Sequence, residues 1–221
     1  MSTAYIFPGQ GSQMVGMGKD LYDNFSGARE IFHRADEALG VRLSKLCFEG
    51  PEDELRQTIN AQPAILVVSL ACLNACERLR AFPLDKRPNY VAGHSLGEYT
   101  ALVAARVLSV ESAIMLVRER GRLMQKASRL HQGGMVAILG LDETTCEEVC
   151  VQTGAQIANV NTADQIVISG SREDLARAMD LAEARGARRV IPLDVSGAFH
   201  SQLMRPAAAG MTEAISRFSF R

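Results

Sequence analysis

The hydrophobic pattern of the first half of the chain predicts short strands separated by helices. Apolar runs at residues 4–7 and 90–92 are typical of short strands. Apolar residues recur at helical spacing over 27–39 and 110–126, which predicts two amphipathic helices. Residues 63–80 are apolar nearly all round, so we expect a helix buried inside a sizeable domain.

The second half of the chain has a different pattern, in which strands and helices are closely spaced. We predict strand, helix, strand, strand, helix and strand at 134–140, 143–152, 156–160, 165–169, 172–185 and 188–192. This β-α-β-β-α-β order is typical of a ferredoxin-like unit. Such a unit can be an insertion whose ends lie close together. We therefore place a small domain at 128–196, inserted into a larger domain formed by 1–127 and 197–221, and expect 201–218 to resume a helix.

Composition and charge argue against nucleic-acid or anionic-membrane binding. Of the 221 residues, 47% are hydrophobic and 22% charged, as in ordinary globular proteins. Lysine and arginine number 24 against 25 acidic residues, so no net field attracts polyanions. Aromatic residues are sparse and tryptophan is absent, which disfavours a base-stacking platform.

Cysteine usage and the N-terminus predict a cytoplasmic protein. The five cysteines form no CxxC pair and have no nearby histidines, so we expect buried thiols in a reducing compartment rather than disulfides or a metal site. No basic segment followed by an apolar stretch resembles a signal peptide. We also expect no membrane span, because no apolar run approaches about 18 residues.

A nucleophile elbow is the strongest chemical motif in the chain. Gly93-His94-Ser95-Leu96-Gly97 follows a predicted strand and precedes a helix-like segment at 98–106, matching G-x-S-x-G. We expect Ser95 to adopt strained backbone geometry, with Gly93 and Gly97 where a side chain would collide. The helix N-terminus behind Ser95 would favour an oxyanion. The alternative is a Gly/Ser-rich turn without chemistry.

A serine nucleophile needs a base, and the chain offers four histidines. His94 is adjacent to Ser95 and would point elsewhere on a tight turn. His33 lies in a predicted helix and His131 directly follows one. His200 lies at a loop-to-helix junction after a strand, so elimination favours His200 as the base.

Two further polar residues are candidates for the same site. Gln10 lies between two glycines in a loop that follows the strand at 4–7, where ligand sites of α/β sheets gather. On the helix at 110–126, Arg120 falls at the edge of the apolar face, beside Gly121. The alternatives are a surface turn for Gln10 and a solvated arginine for Arg120.

Five motifs occur in an order that resembles the malonyl-CoA:acyl-carrier-protein transacylase family. They are Phe-Pro-Gly-Gln-Gly-Ser-Gln at 7–13, the elbow at 93–98, Arg-Gly-x-x-Met-Gln at 120–125, Asn-Val-Asn at 159–161 and Gly-Ala-Phe-His-Ser at 197–201. The resemblance covers essentially the whole chain. It implies an α/β fold: an α/β-hydrolase-like large domain with an inserted ferredoxin-like small domain.

The resemblance also implies a mechanism and its residues. Ser95 would attack malonyl-CoA, with His200 as base, to give a malonyl-serine ester in a ping-pong scheme. The phosphopantetheine thiol of acyl carrier protein would then take the malonyl group. The family's oxyanion donors correspond to the backbone N–H groups of Gln10 and Leu96, and its carboxylate-binding arginine corresponds to Arg120.

Other expectations rest on the same resemblance. Phe199 predicts malonyl over methylmalonyl, and Leu96 agrees. Asn159 and Asn161 lie in a matched motif and are expected at the substrate site. We expect no metal, no resident cofactor and a monomer. Candidate contacts to the acidic carrier protein are Lys126, Arg129, Arg185, Arg188 and Arg189.

The chain departs from the family pattern in its length. Family members commonly continue for several dozen residues beyond position 221, and the missing part would include large-domain strands and the group that orients His200. We therefore expect this chain, tested alone, to be poorly stable and weakly active.

Alternatives to malonyl transfer in fatty-acid synthesis are a polyketide-type acyltransferase, a serine esterase or thioesterase, and a non-catalytic carrier-binding module.

Overall fold

The computed structural model describes residues 2–79 and 88–221, which form two compact units. The first unit comprises Met1–Arg122 and Glu213–Arg221, and the second comprises Leu123–Thr212. The predicted domain boundaries at residues 128 and 196 stay a prediction.

Two strands and several helices make up the first unit. In chain order these elements are β1 (Ala4–Phe7), α1 (Lys19–Asn24), α2 (Ser26–Leu39), α3 (Leu43–Glu49), α4 (Glu52–Arg56), α5 (Thr58–Leu79), β2 (Tyr90–Gly93), α6 (Gly97–Ala104) and α7 (Val110–Leu130), the last of which continues into the second unit. The predicted strands and longer helices are confirmed. The short helices α1, α3 and α4 were not predicted, because each is too short to show a helical period.

The parallel pairing of β1 with β2 brings two loops to one sheet edge. In the register, Phe7 lies opposite Gly93, so both strands end at the same level. The backbone N–H of His94 donates to the carbonyl of Phe7 at 3.0 Å, which extends the pairing by one residue. The loops that follow the two strands therefore begin side by side.

Helix α5 begins earlier than predicted. The sequence placed its start at Pro63, a residue that suits a first helical turn, but the helix begins at Thr58. Pro63 has no N–H to give to the carbonyl of Ile59, four residues back. That carbonyl instead accepts a hydrogen bond from Nη1 of Arg118 at 2.8 Å. The predicted end at residue 80 lies outside the described residues.

The expectation that no segment is apolar enough to span a membrane was too strong. Helix α5 has 22 residues, and an 18-residue window within it has a mean hydropathy of 1.6. By length and composition alone it could cross a bilayer. In the first unit, however, it supplies core side chains such as Ala64, Leu66 and Val67, which are fully buried, and the core helix of a soluble protein passes the same test.

The second unit has the predicted β-α-β-β-α-β order. Its elements are β3 (Gly133–Leu139), α8 (Glu143–Thr153), β4 (Gln156–Thr162), β5 (Gln165–Ser171), α9 (Arg172–Ala184), β6 (Arg189–Pro192), a 3₁₀ turn (Gln202–Met204) and α10 (Arg205–Ile215), whose last residues belong to the first unit. The strands form one antiparallel sheet in the order β4-β5-β3-β6. The predicted helix at 201–218 is therefore shorter and starts with a 3₁₀ turn.

Both faces of this sheet are covered by buried apolar side chains. Val136 and Ile138 on β3 pack in one cluster that includes residues of α8 and α9. Met135 and Ala137, the alternate residues, pack in a second cluster with Phe199. Because side chains alternate across a strand, β3 supplies apolar groups to both clusters and anchors the unit.

Candidate active site

Ser95 has the strained backbone expected of an elbow nucleophile. Its φ is 51°, in the left-handed region that non-glycine residues seldom occupy. The turn is closed by a hydrogen bond from the N–H of Gly97 to the carbonyl of His94 at 2.9 Å. Such strain persists only when the surrounding structure enforces it. The predicted elbow geometry at Ser95 is confirmed.

The glycines of the elbow are required by close backbone contacts. A Cβ on Gly93 would lie 1.9 Å from the carbonyl carbon of Gly97. A Cβ on Gly97 would lie 2.3 Å from the carbonyl oxygen of Phe7, at the end of β1. Neither distance is compatible with a side chain. The elbow is thus packed directly against the end of the neighbouring strand.

The loop after β1 lies beside the elbow because of the same packing. A Cβ on Gly9 would approach Nδ1 and the carbonyl oxygen of His94 to 2.6 Å each. His94 therefore covers this loop, as a residue that shapes the turn. Between the glycines, Gln10 is half-buried, and its Oε1 accepts a hydrogen bond from Oγ1 of Thr58 at 2.8 Å.

Two backbone N–H groups, one in the loop after β1 and one in the elbow, have no acceptor among the described residues. Among residues 2–79 and 88–221, the N–H groups of Gln10 and Leu96 donate to no other group. Leu96 follows the nucleophile directly at the start of α6, and its side chain is only 1% exposed. A helix N-terminus presents such unsatisfied donors together with a partial positive charge.

Arg120 contacts the nucleophile directly. Its Nη2 donates a hydrogen bond to Oγ of Ser95 at 2.9 Å, and its Nη1 donates to Oε1 of Gln62 at 2.5 Å. The guanidinium carbon lies 5.8 Å from the ring centroid of Tyr99, within reach of a cation–π contact. Burial lowers the pKa of Arg120, but a guanidinium stays charged at neutral pH.

The neighbouring arginine, Arg118, has a different environment. Its Nη1 donates to the carbonyl of Ile59 at 2.8 Å and to Oδ1 of Asn60 at 2.5 Å. These contacts hold Arg118 against the start of α5. Arg118 thus contacts the start of α5, whereas Arg120 contacts the nucleophile.

Gln62 and Thr58 join this site, and sequence reasoning did not select them. Both side chains are fully buried, and Nε2 of Gln62 donates to Oγ1 of Thr58 at 2.7 Å. They lie four residues apart on α5 and so share one face of the helix. The available signal was a polar pair at this spacing at the start of an otherwise apolar helix.

The histidine selected as base lies in the second unit. His200 has a φ of 60° and an exposed side chain, and it follows the core residue Phe199. The hydroxyl of Ser201 donates to the carbonyl of Ala198 at 2.7 Å, which closes the turn around His200. The pairing of His200 with Ser95 stays a prediction. Of the other histidines, His33 contacts the hydroxyl of Tyr22 through Nε2 at 3.2 Å.

Comparison with known proteins decides the family. A family model described as the acyl transferase domain matches residues 4–221. The chain belongs to the acyl transferase domain family. A malonyl CoA-acyl carrier protein transacylase of Bacillus subtilis (strain 168) is 47% identical over 217 residues, which cover 96% of this chain and 67% of the relative.

Solved structures agree with this acyl transferase assignment. An acyl-carrier-protein S-malonyltransferase from Bartonella henselae is 45% identical with a TM-score of 0.94, covering 100% of this chain and 71% of that protein. A malonyl-transacylase in complex with a type II PKS acyl-carrier protein is 39% identical with a TM-score of 0.94, covering 100% and 72%. The predicted fold class, α/β with an α/β-hydrolase-like and a ferredoxin-like part, is confirmed. The chain thus spans about seven tenths of these two proteins.

Three further predicted residues of this acyl transferase domain lie in the second unit. Phe199 is 5% exposed and packs in the core cluster with Met135 and Ala137. Asn159 is half-buried on β4, and Asn161 is exposed on the same strand. Their substrate contacts stay predictions. Because Phe199 is a core residue, Phe199→Ser would leave a cavity as well as alter any contact with substrate.

Two of the predicted carrier-binding cations of the acyl transferase domain form ion pairs with acidic side chains. Arg185 donates to Glu148 at 2.6 Å, and Arg188 contacts Asp164 at 3.3 Å. These two charges are already partly neutralised within the second unit.

Across residues 2–79 and 88–221, no group of three or more His, Cys, Asp or Glu side chains is arranged to hold a metal ion.

Proposed function

We propose that the chain transfers a malonyl group from malonyl-CoA to the phosphopantetheine thiol of acyl carrier protein. The observation that most supports this is the guanidinium of Arg120 at 2.9 Å from the nucleophile Ser95. An enzyme for neutral acyl groups would not need a cation beside its nucleophile. An acyl group with a free carboxylate explains the cation, because a guanidinium binds a carboxylate through two parallel hydrogen bonds.

In the first half-reaction, Ser95 Oγ attacks the thioester carbonyl carbon while His200 takes the hydroxyl proton. The N–H groups of Gln10 and Leu96 would stabilise the oxyanion, and one such donor is typically worth about 100–1,000-fold in rate. The carbon–sulfur bond then breaks, and the CoA thiolate takes the proton from His200. A malonyl-serine ester remains, and no resident cofactor is needed.

The second half-reaction repeats these steps with another nucleophile. His200 takes the proton of the carrier thiol, whose sulfur attacks the ester carbonyl. The bond to Ser95 Oγ breaks and the hydroxyl is reprotonated by His200. Arg120 holds the carboxylate throughout, and Phe199 with Leu96 would favour malonyl over methylmalonyl. One methyl group is worth about 1–3 kcal/mol of such discrimination.

The pathway and cellular context are also proposals. We propose a cytoplasmic monomer that serves fatty-acid synthesis, since relatives at 47% and 42% identity from Bacillus subtilis and Staphylococcus aureus are named malonyl CoA-acyl carrier protein transacylases. The five free cysteines suit a reducing compartment. The type II PKS carrier complex among similar structures supports polyketide synthesis as the second candidate, with the same chemistry.

The test is a transfer assay with malonyl-CoA and carrier protein that bears phosphopantetheine. We expect malonyl-carrier to form faster than free malonate, and His200→Ala to slow the transfer by several orders of magnitude. Faster release of free acid than carrier transfer, also with neutral acyl-CoA, would favour an esterase or thioesterase. Carrier binding without any transfer would favour a non-catalytic docking module.

A further inference from the structure

The start of α5 links the two substrate-binding features of the first unit. Nη1 of Arg120 donates to Oε1 of Gln62, and Nε2 of Gln62 donates to Oγ1 of Thr58. The hydroxyl of Thr58 in turn donates to Oε1 of Gln10. The three distances are 2.5, 2.7 and 2.8 Å. In the order Arg120, Gln62, Thr58 and Gln10, each side chain donates to the next. The hydrogen bonds of this network can therefore polarise and strengthen one another.

Thr58 is the one member of this network that acts as both donor and acceptor through a single atom. Its side chain is fully buried, as is that of Gln62. Buried hydrogen bonds of this kind fix side-chain positions, because a broken bond leaves a polar group without a partner. Ser95 is connected to this network because its Oγ accepts a hydrogen bond from Nη2 of Arg120 at 2.9 Å.

We propose that Thr58 is a positioning residue, which fixes the carboxylate-binding guanidinium of Arg120 relative to the oxyanion loop at Gln10. The inference rests on the proposed function. The hydroxyl anchors the Gln10 side chain on one side and orients Gln62, hence Arg120, on the other. The distance between the bound carboxylate and the attacked carbonyl is thereby set by one hydroxyl group.

The proposal predicts different effects for the two neighbours on α5. Thr58→Val keeps the shape of the side chain and removes both hydrogen bonds, so both Arg120 and Gln10 lose their anchor. Gln62→Met removes the link to Arg120 but leaves the bond from Thr58 to Gln10. Only Thr58→Val should therefore disturb the oxyanion loop.

Two reactions separate these effects. The KM for malonyl-CoA reports the carboxylate contact, and the rate of Ser95 labelling by an uncharged alkyl fluorophosphonate reports the oxyanion loop. We expect Thr58→Val to raise the KM and slow the labelling, each by roughly tenfold to a hundredfold. Gln62→Met should raise the KM and, because Arg120 also contacts Oγ of Ser95, slow the labelling by less than Thr58→Val does. Thr58→Ser, which keeps the hydroxyl, should restore both.

Thr100 provides the matched control. It is also fully buried in the first unit, but among the described residues its hydroxyl has no hydrogen-bond partner. Thr100→Val should leave the KM and the labelling rate unchanged. The proposal is overturned if Thr58→Val resembles Thr100→Val, or if Thr58→Ser is as impaired as Thr58→Val.

A double-mutant cycle in urea unfolding tests the network without any turnover. Thr58 and Arg120 are linked only through Gln62 in this network, so Thr58→Val and Arg120→Met should be non-additive, whereas Thr100→Val and Arg120→Met should add. Additivity of Thr58→Val with Arg120→Met would contradict the network. A folded chain that transfers no malonyl but shows the coupling would contradict the proposed function and support the network.

Discussion

The guanidinium of Arg120 has a planar geometry that an ammonium group cannot reproduce. It can give a carboxylate two parallel hydrogen bonds while Nη1 still contacts Gln62. We therefore expect Arg120→Lys to lower kcat/KM for malonyl-CoA by about tenfold to a hundredfold. Steady-state kinetics provide the measurement. The control is Arg122→Lys, whose exposed arginine pairs with Glu119 and should retain full activity.

The contrary result for this arginine is also informative. If Arg120→Lys and Arg120→Ala kept the malonyl kcat/KM within twofold of the unsubstituted chain, no carboxylate would be bound there. The substrate would then be a neutral acyl group, as expected for an esterase or thioesterase.

Gly97 tests the close packing of the elbow on β1. A Cβ there would lie 2.3 Å from the carbonyl oxygen of Phe7, so the elbow must move in Gly97→Ala. Overpacking of this kind typically costs about 1–3 kcal/mol, and we expect that loss in urea unfolding together with loss of Ser95 reactivity. In Gly134→Ala the new Cβ meets Leu175 at an ordinary 3.6 Å. Equal stability of the two variants would contradict the packing argument.

At the residue scale, the sequence predicted the reactive groups better than the groups that hold them. Ser95 follows from a motif with a steric cause. The helical angle made Arg120 a candidate, and the family resemblance selected it. Thr58 and Gln62 could not be assigned in this way. Their function depends on which polar groups they meet in the buried interior, and a helical period contains no such information.

At the scale of elements, the capping of α8 makes a pH-dependent contribution to stability. The carboxylate of Asp142 accepts a hydrogen bond from the N–H of Thr145 at 2.8 Å. The hydrogen bonds from Thr145 lower the pKa of Asp142 in the folded chain. The folded state therefore binds this proton less readily than the unfolded state does. The stabilisation is present above the unfolded pKa of about 3.9 and is lost as pH falls through the folded pKa.

Asp142→Ala should accordingly lower the free energy of unfolding at pH 7, with a smaller effect at pH 3 that shrinks further as pH falls through the folded pKa. Urea unfolding at a series of pH values measures this difference. Asp142→Asn, which keeps the capping acceptor without the titrating charge, should lack the pH-dependent part. A destabilisation by Asp142→Ala that is the same at pH 7 and pH 3 would contradict the capping argument.

Long elements were predictable and their ends were not. The β-α-β-β-α-β order of the second unit follows from alternation and helical period in the sequence. The predicted start of α5 was wrong because Pro63 resembles a helix start. The sequence pattern does not show the hydrogen bond from Arg118 that satisfies the carbonyl of Ile59. The short helices α1, α3 and α4 depend on packing rather than on their own pattern.

At the scale of the whole chain, the edge of β1 has consequences for association. Among the described residues, β1 pairs only with β2, and Ile6 is 77% exposed. An apolar cavity of about 500 Å³ lies beside this strand, lined by residues that include Met14, Ile65 and Leu73. Exposed apolar strand edges promote association between chains.

Because we propose a monomer under assay conditions, we expect self-association only in concentrated solution, where Ile6→Lys should reduce it as measured by sedimentation velocity. Val151 is also apolar and exposed but lies on helix α8. Val151→Lys should leave self-association unchanged. If neither variant or both variants altered association, the edge of β1 would not be its cause.

The proposed malonyl transfer requires a covalent malonyl ester on Ser95. The most direct measurement is the intact mass of the chain after incubation with malonyl-CoA, compared between the unsubstituted chain and Ser95→Ala. We predict a mass increase of one malonyl group on the unsubstituted chain, located at Ser95, and none on Ser95→Ala. An unmodified folded chain, or an adduct that persists in Ser95→Ala, would contradict the account.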